Sequence, residues 1–320
     1  MIKRVLAVIL ALGIGALLFS QKLVLLDDKQ AVNIGELIQS NSAYFIHPQD
    51  VDLEGDFFFL LDYRFCHILK IHKNTGKLER LISYKGQGPN ELNRPTSLRV
   101  KNHIVLVGDK GFGGVKFFDA GNGRFIKAIK TNAIIDDLDV FSNGQMVLKR
   151  SDSRIGTFIS VYDENGKCIR DLIRLFSIDG QTADQSQYPK ETYTRWRLDP
   201  DENLVVLKNL ERKLFKYDKS GSLLWQKKVD NIVLREFSPR ADSIETGPNS
   251  TTVRLYVFNL AIDEKGRIFV GHNRGGQVFN PEGQTIAVFK GYNLSVFLVQ
   301  NNELCAFLPQ GNGYIYKIQI

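Results

Sequence analysis

The sequence is poor in the side chains on which covalent and metal-dependent catalysis most often rely: of 320 residues, three are cysteine, five histidine, two methionine and two tryptophan. Cys66, Cys168 and Cys305 cannot all pair with one another. Each falls in an apolar, strand-like pattern, so they read as buried free thiols rather than a disulfide framework. The histidines, His47, His67, His72, His103 and His272, are scattered. No Gly-x-Ser-x-Gly elbow occurs and no cysteine has a recognisable histidine partner, so covalent catalysis has no support. There is no block of Lys and Arg interleaved with aromatics, which argues against nucleic acid as a partner. Helical periodicity is nowhere sustained, and only residues 35–39 suit a short helical turn. What remains is ordinary for a globular chain with a sizeable core: 43% hydrophobic residues, 24% charged, and no low-complexity segment.

There is one long apolar run. Lys3 and Arg4 precede the apolar or glycine stretch 5–19, which is followed by Ser20 and Gln21. The stretch falls short of the ~20 residues of a membrane span and matches the apolar part of a signal peptide. Residues 1–20 therefore read as a secretory signal, and residues 21–320 as the exported domain, periplasmic or extracellular. Leu18 is a poor match to the small residue preferred two positions before cleavage, so an uncleaved anchor is the alternative. In that case the membrane is reached through this segment alone. Without Lys3 and Arg4 the net charge falls from +7 to +5.

The most informative stretch is 159–170, where two alternating runs flank the turn Asp163-Glu164-Asn165-Gly166, the pattern of a hairpin with a left-handed glycine. Similar hairpins centre on Gly76, Gly123, Gly221 and Gly283. The five turn glycines are 47, 43, 55 and 62 residues apart. A period of roughly 40 to 50 residues made only of short strands is that of a propeller blade. Taken in order, the strands give six four-stranded antiparallel blades, with innermost strands at about 44–51, 98–100, 138–141, 193–198, 255–258 and 294–299. Residues 22–27 form a strand without a local partner, and residues 314–320 a strand without a successor. Because an open ring would expose sheet edges, these two segments are expected to pair, the N-terminal strand joining the last blade. The expected fold is thus all-β, a closed six-bladed β-propeller.

The stretch Gly86-Gln87-Gly88-Pro89-Asn90-Glu91, followed by Pro95 and the strands of the second blade, resembles the Gly-x-Gly-Pro-x-Glu signature between blades of secreted bacterial six-bladed β-propellers, in the NHL-repeat and TolB-like superfamily. The resemblance implies a binding or scaffold role in the cell envelope. Some relatives are metal-dependent lactonases or lyases whose metal sits in the central channel. On the residues themselves, Gly86 and Gly88 permit backbone angles closed to other residues and Pro89 stiffens the crossing. A phosphate-cradling loop would need a helix after it, and strands flank this one.

Strand direction decides which loops share an end of the ring. Turns between second and third strands lie with the crossings between blades at the end termed the top, and the tight Asp/Asn-Gly hairpins lie at the bottom. The long segments 83–94, 173–192 and 230–252 fall at the top, where binding loops on a rigid scaffold are expected. The top also gathers Arg64, Arg94, Arg150, Arg195, Arg254 and Arg274, with Trp196 and His272 beside them. These are the candidate ligand-binding residues, the arginines for carboxylate, sulfate or phosphate groups and the ring for a sugar face. Only His47 and His272 would sit at the tops of inner strands, too few for a zinc centre. An oxygen-ligand site for a divalent cation such as calcium would draw on Asp62, Asp109 and Asp136 or Asp137, although capping of turns is the commoner use of Asp62 and Asp109. No catalytic residue and no resident cofactor is assigned. The expected function is a non-catalytic envelope propeller binding a polar or anionic small molecule or glycan, or a protein partner. A metal-assisted lactonase or lyase at the channel mouth is the alternative.

Overall fold

The computed structural model describes residues 22–25, 31–40, 45, 47–131, 133–152, 156–177, 194–209, 211–229, 243–247, 250–254, 259–272, 275–290, 296–308, 310 and 312–318. They form a six-bladed β-propeller of antiparallel blades. Blade 1 comprises Pro48–Glu54, Phe57–Asp62, His67–His72 and Leu78–Ile82, from the axis outwards. Blade 2 comprises Pro95–Lys101, Ile104–Asp109, Gly114–Asp119 and Phe125–Lys130. Blade 3 comprises Ile134–Val140, Met146–Asp152, Gly156–Tyr162 and Cys168–Ser177. Blade 4 comprises Thr194–Leu198, Leu204–Lys208, Lys213–Tyr217 and Leu223–Lys228. Blade 5 comprises Asn259–Ile262, Ile268–His272, Gly275–Phe279 and Thr285–Lys290. Blade 6 contributes Val296–Gln300, Glu303–Leu308 and Asn312–Lys317. Each innermost strand packs against the next, and the sixth against the first.

The alternation within each strand decides where the core lies. Successive side chains point to opposite faces of a blade, and each face meets a neighbouring blade. Buried apolar side chains accordingly form a cluster at every seam, for example Phe59, Leu61, Ile68, Leu98 and Val107 between blades 1 and 2. At the seam between blades 6 and 1 the helix Ile34–Ser40 is added, with Ile34 and Ile38 fully buried beside Phe58, Phe307 and Ile315. Asn33 caps it, its side-chain oxygen accepting from Glu36 N at 3.1 Å. The turn glycine of blade 1, Gly76, has φ +64°, and a Cβ there would sit 2.5 Å from the Leu37 Cβ, so only glycine lets the helix close on the turn.

The expected pairing of the N-terminal strand is corrected. The N-terminal strand Lys22–Leu25 does not pair with residues 314–320. It lies parallel on Thr285–Lys290, the outermost strand of blade 5, in register Lys22 with Ala287 to Leu25 with Lys290. The last blade is still completed by the N-terminal segment, but through Val32, which exchanges backbone hydrogen bonds of 3.0 and 2.9 Å with Ile315. A four-residue apolar strand fits more than one edge, which is why pattern alone misplaces it. The innermost strand of blade 5 is Asn259–Ile262; the expected 255–258 lies outside the described residues. The end of the long segment 230–252 forms part of a hairpin of Ser243–Gly247 with Ser250–Arg254.

The Gly-x-Gly-Pro-x-Glu stretch is a structural clip. The Glu91 carboxylate accepts from Gly88 N at 2.7 Å, and a Cβ on Gly86 would sit 2.0 Å from the same oxygen. Buried Lys116 donates to the carbonyls of Gly88, at 2.9 Å, and of Glu91.

Candidate functional site: the ion-paired channel and its two mouths

On the innermost strands of blades 1 to 4 the apolar side chains lean back into the preceding seam and the polar ones lean forward to the next blade. Asp50 and Asp52 reach blade 2, accepting from the edge amides of Leu98 at 3.0 Å and Val100 at 2.7 Å. Arg99 and Lys101 lean on blade 3, Lys101 donating to the Val140 carbonyl at 2.8 Å. Asp139 accepts from Leu198 N of blade 4 at 3.1 Å. These carboxylates thus satisfy inner-edge amides that no further strand can pair.

The same groups close a ring of ion pairs. Arg99 donates to Asp50 at 2.9 Å and faces Asp139 and Asp137 at 3.8 and 3.9 Å. Arg197 donates to Asp137 at 3.0 Å and reaches Asp50 of blade 1 at 3.4 Å. Burial would push the Asp50 carboxyl up, but the Arg99 and Arg197 guanidiniums outweigh it and hold it below its ordinary range. Burial would likewise depress Arg99, and its surrounding carboxylates, Asp50 and Asp139 foremost, raise it instead. Asp52, two residues along, lacks a direct guanidinium partner among the described residues. Burial pushes it up to about 6 against the attraction of Arg99.

Two cavities open from the channel towards opposite ends, both bordered by Arg197. The bottom one, about 590 Å³, has apolar walls that include Leu53, Ile262, Phe297 and Val299, with Asp52, Glu202 and Glu264 also lining it. The top one, about 260 Å³, is lined by His47, Gln49, Asp136, Arg195, Arg197 and Asn259 among others. Arg195 is the informative residue here. Its Nε donates to Asn259 at 3.0 Å, and among the described residues no carboxylate pairs with it. Burial lowers its pKa, with Asp137 opposing and Arg197 adding to that shift.

Of the candidates named from sequence, Arg195 lies in the top cavity. Arg64 and Arg94 are exposed at the top of blades 1 and 2, Arg94 with φ +68°. Arg150 turns away along its own blade, donating to Ser160 at 3.1 Å and Asp171 at 3.0 Å with its guanidinium over the Phe158 ring. Trp196 is fully buried in the seam between blades 3 and 4, so it offers no stacking surface. The alternation that sends Arg195 and Arg197 forward sends Trp196 back. The side chains of Arg254 and His272, and Arg274 as a whole, lie outside what is described. Cys66 and Cys305 are buried free thiols, whereas Cys168 is exposed, on the outermost strand of blade 3.

The aspartates considered for a cation are otherwise engaged. Asp62 caps its turn by accepting from Arg64 N at 2.8 Å and Phe65 N at 3.0 Å, and its other oxygen clips His47 N at 3.1 Å. Asp109 repeats this in blade 2 with Gly111 N at 3.0 Å, Phe112 N at 3.3 Å and Asn93 N at 2.9 Å. Asp136 binds Lys110 at 3.0 Å and Ser151 at 2.7 Å. Among the described residues no three His, Cys, Asp or Glu side chains are grouped so as to hold a metal ion. The channel carboxylates are interlaced with guanidiniums and amides, a donor set that does not fit a channel metal.

No protein-family model matches the sequence, and no curated protein matches it. Solved structures do share the fold. The chain is similar to regucalcin, described as a calcium-binding protein, from Agrobacterium tumefaciens str. C58, at 9% identity over 93% of this chain and 95% of that one, with a TM-score of 0.57. It is similar to a gluconolactonase of Xanthomonas campestris at 12% identity over 86% and 87%, with a TM-score of 0.54. It is also similar to a Bacteroides fragilis NCTC 9343 protein described as exported, at 10% identity over 94% and 99%, with a TM-score of 0.56. The chain is a six-bladed β-propeller of this broad architecture, and at such identities the likeness concerns the fold alone.

Proposed function

We propose that this is an exported, non-catalytic propeller of the NHL-repeat or TolB-like kind that binds a polar, anionic ligand at its top mouth. The observation that carries the reading is Arg195, a half-buried guanidinium on a cavity wall, held by neutral Asn259 and free of ion pairs among the described residues. A charge in that position gains from a partner from outside, and the planar guanidinium suits a carboxylate, sulfate or phosphate. The leader-like residues 1–20 and the fold shared with a protein described as exported support a place in the cell envelope.

Calorimetric titration with galacturonate, glucuronate, inorganic sulfate and neutral galactose tests it. At least one anion binds, the neutral sugar does not, and Arg195→Ala weakens binding by about 1.5–3 kcal/mol with an unchanged melting temperature. Equal affinity of the variant and the native protein, or binding that ignores salt, sinks the reading.

The second reading, a metal-assisted lactonase or lyase, draws on the descriptions of the regucalcin and gluconolactonase structures. Against it stands the interlacing of the channel carboxylates with Arg99 and Arg197. Metal analysis of the purified protein decides between the two, since the enzyme needs roughly one tightly held divalent ion per chain.

A further inference from the structure

The well-exposed aromatic side chains among the described residues are gathered at one corner. Among the described residues, the large aromatics that stand well out into solvent are Tyr63, Phe65 and Tyr84, at 47%, 39% and 58% exposure. Tyr63 and Phe65 flank Arg64 on the top turn of blade 1. Tyr84 opens the crossing from blade 1 to blade 2, beside Lys85, and Arg94 ends it. Arg64, Lys85 and Arg94 are exposed as well. The carboxylates of these two segments, Asp62 and Glu91, are spent on backbone amides. The result is a surface of aromatic rings and cations with no carboxylate of its own to answer them.

This corner is tied to residues of the top cavity's wall. Tyr63 N donates to the carbonyl of His47, which lines the cavity, at 3.0 Å. Lys110 N donates to the Arg94 carbonyl at 3.1 Å, while its ammonium binds Asp136, also in the cavity wall. The corner is held in place by the Asp62 cap, by the clip around Glu91 and Lys116, and by the His67 ring against Phe65 at 5.3 Å between centroids. The cavity, about 260 Å³, is smaller than the roughly 300–1,000 Å³ of a drug-sized site, so it admits about one sugar-sized unit.

Resting on the reading of Arg195 as an anion site, we propose that the ligand is an acidic oligosaccharide. Its terminal acidic unit occupies the cavity at Arg195, and its following units lie across Tyr63, Phe65 and Tyr84 with their acid groups against Arg64, Lys85 and Arg94. Ring faces stack on the C–H faces of sugars, and cations at intervals match a chain that carries a charge on each unit. An acidic peptide fits less well. A peptide docking in extended form needs free backbone groups, and the crossing has used its own: Gly86 N bonds Leu92 O at 3.0 Å and Gly88 N bonds Glu91.

The test is titration of the full protein with galacturonate oligomers from the monomer to the hexamer, and with polyglutamate of comparable length. The variants are Arg195→Ala and the surface pair Tyr63→Ala with Tyr84→Ala. Affinity rises with oligomer length, by about tenfold or more from monomer to hexamer. The tyrosine pair abolishes that rise and leaves the monomer's affinity unchanged, whereas Arg195→Ala weakens every length by the same factor. A hexamer that binds no better than the monomer, a length gain that survives loss of both tyrosines, or polyglutamate binding as tightly as the hexamer overturns the oligosaccharide assignment and leaves the Arg195 site standing. Hexamer binding that depends on the tyrosines but ignores Arg195→Ala overturns the Arg195 site alone. Failure of every galacturonate to bind overturns both.

Discussion

In blades 1 to 4 the innermost strands carry Asp50 and Asp52, Arg99 and Lys101, Asp137 and Asp139, then Arg195 and Arg197. In blades 5 and 6 the corresponding strands, Asn259–Ile262 and Val296–Gln300, present Asn259, Ala261, Val296 and Leu298 at the forward-leaning positions. The sign of the charge alternates around the first arc, and because each polar side chain leans towards the next blade, each blade offers its successor the opposite charge. Burying such groups is tolerable only while they are paired. The alternation stops at blade 5, where the forward neighbour of Arg195 is neutral Asn259. Arg197 escapes by turning back to Asp137 and across to Asp50. Arg195 does not, so the boundary between the two arcs is where an unanswered charge must appear.

The largest way to break this comparison is to remove a central charge. Arg99→Ala leaves Asp50, Asp137 and Asp139 facing one another and should cost about 3–5 kcal/mol in a denaturant titration. Phe297→Leu in the apolar arc keeps most of its buried volume and should cost less than about 1.5 kcal/mol. Similar losses would mean the ion pairs are solvated and the arcs equivalent. Next in size is the seam at which the apolar arc meets the charged one. Ile38→Ala empties a site that is 0% exposed and should cost about 2–5 kcal/mol. An unchanged denaturation midpoint would show that the helix does not help to close the ring.

The comparison is sharpened by extending the alternation one blade further. Asn259→Asp gives Arg195 the partner it lacks, so anion binding should fall by roughly tenfold or more while thermal stability holds or rises. Anion affinity equal to that of the native protein would show that Arg195 is not the anchor.

Much of the fold was legible because turn chemistry is local: Asp163 and Gly166, or Asp218 and Gly221, fix a hairpin within a few residues. The capping by Asp62 and Asp109 was readable for the same reason. What depends on distant neighbours was not. The alternating signs of Asp50, Arg99, Asp137 and Arg197 are plain in the sequence, but their pairing emerges only once the four strands are known to meet at the axis. The burial of Trp196 could have been read from period-two alternation alone, since a strand that presents Arg195 and Arg197 forward must turn the residue between them back. The placement of Lys22–Leu25 carried no such signal.

The smallest effect comes from two carboxylates on one strand that respond to the channel in opposite ways. Asp50 is held below its ordinary range by Arg99 and Arg197, so its contribution to stability is present at neutral pH and lost on acidification. Asp52 is raised to about 6 by burial, so the folded state holds a proton that the unfolded chain has released. Between the ordinary value of 3.8 and about 6 the folded protein binds more protons than the unfolded chain, and this group's contribution therefore falls as pH rises through that window. Because Asp52 borders the open bottom cavity, solvent screens the effect, and about 1 kcal/mol is the expected size. Denaturant titrations of Asp52→Asn and native protein should show the variant gaining relative stability by that amount between about pH 4.5 and 7.5, while its remaining oxygen still accepts an amide. A difference between the two proteins that stays constant across this range would mean that Asp52 ionises as freely in the fold as in the unfolded chain.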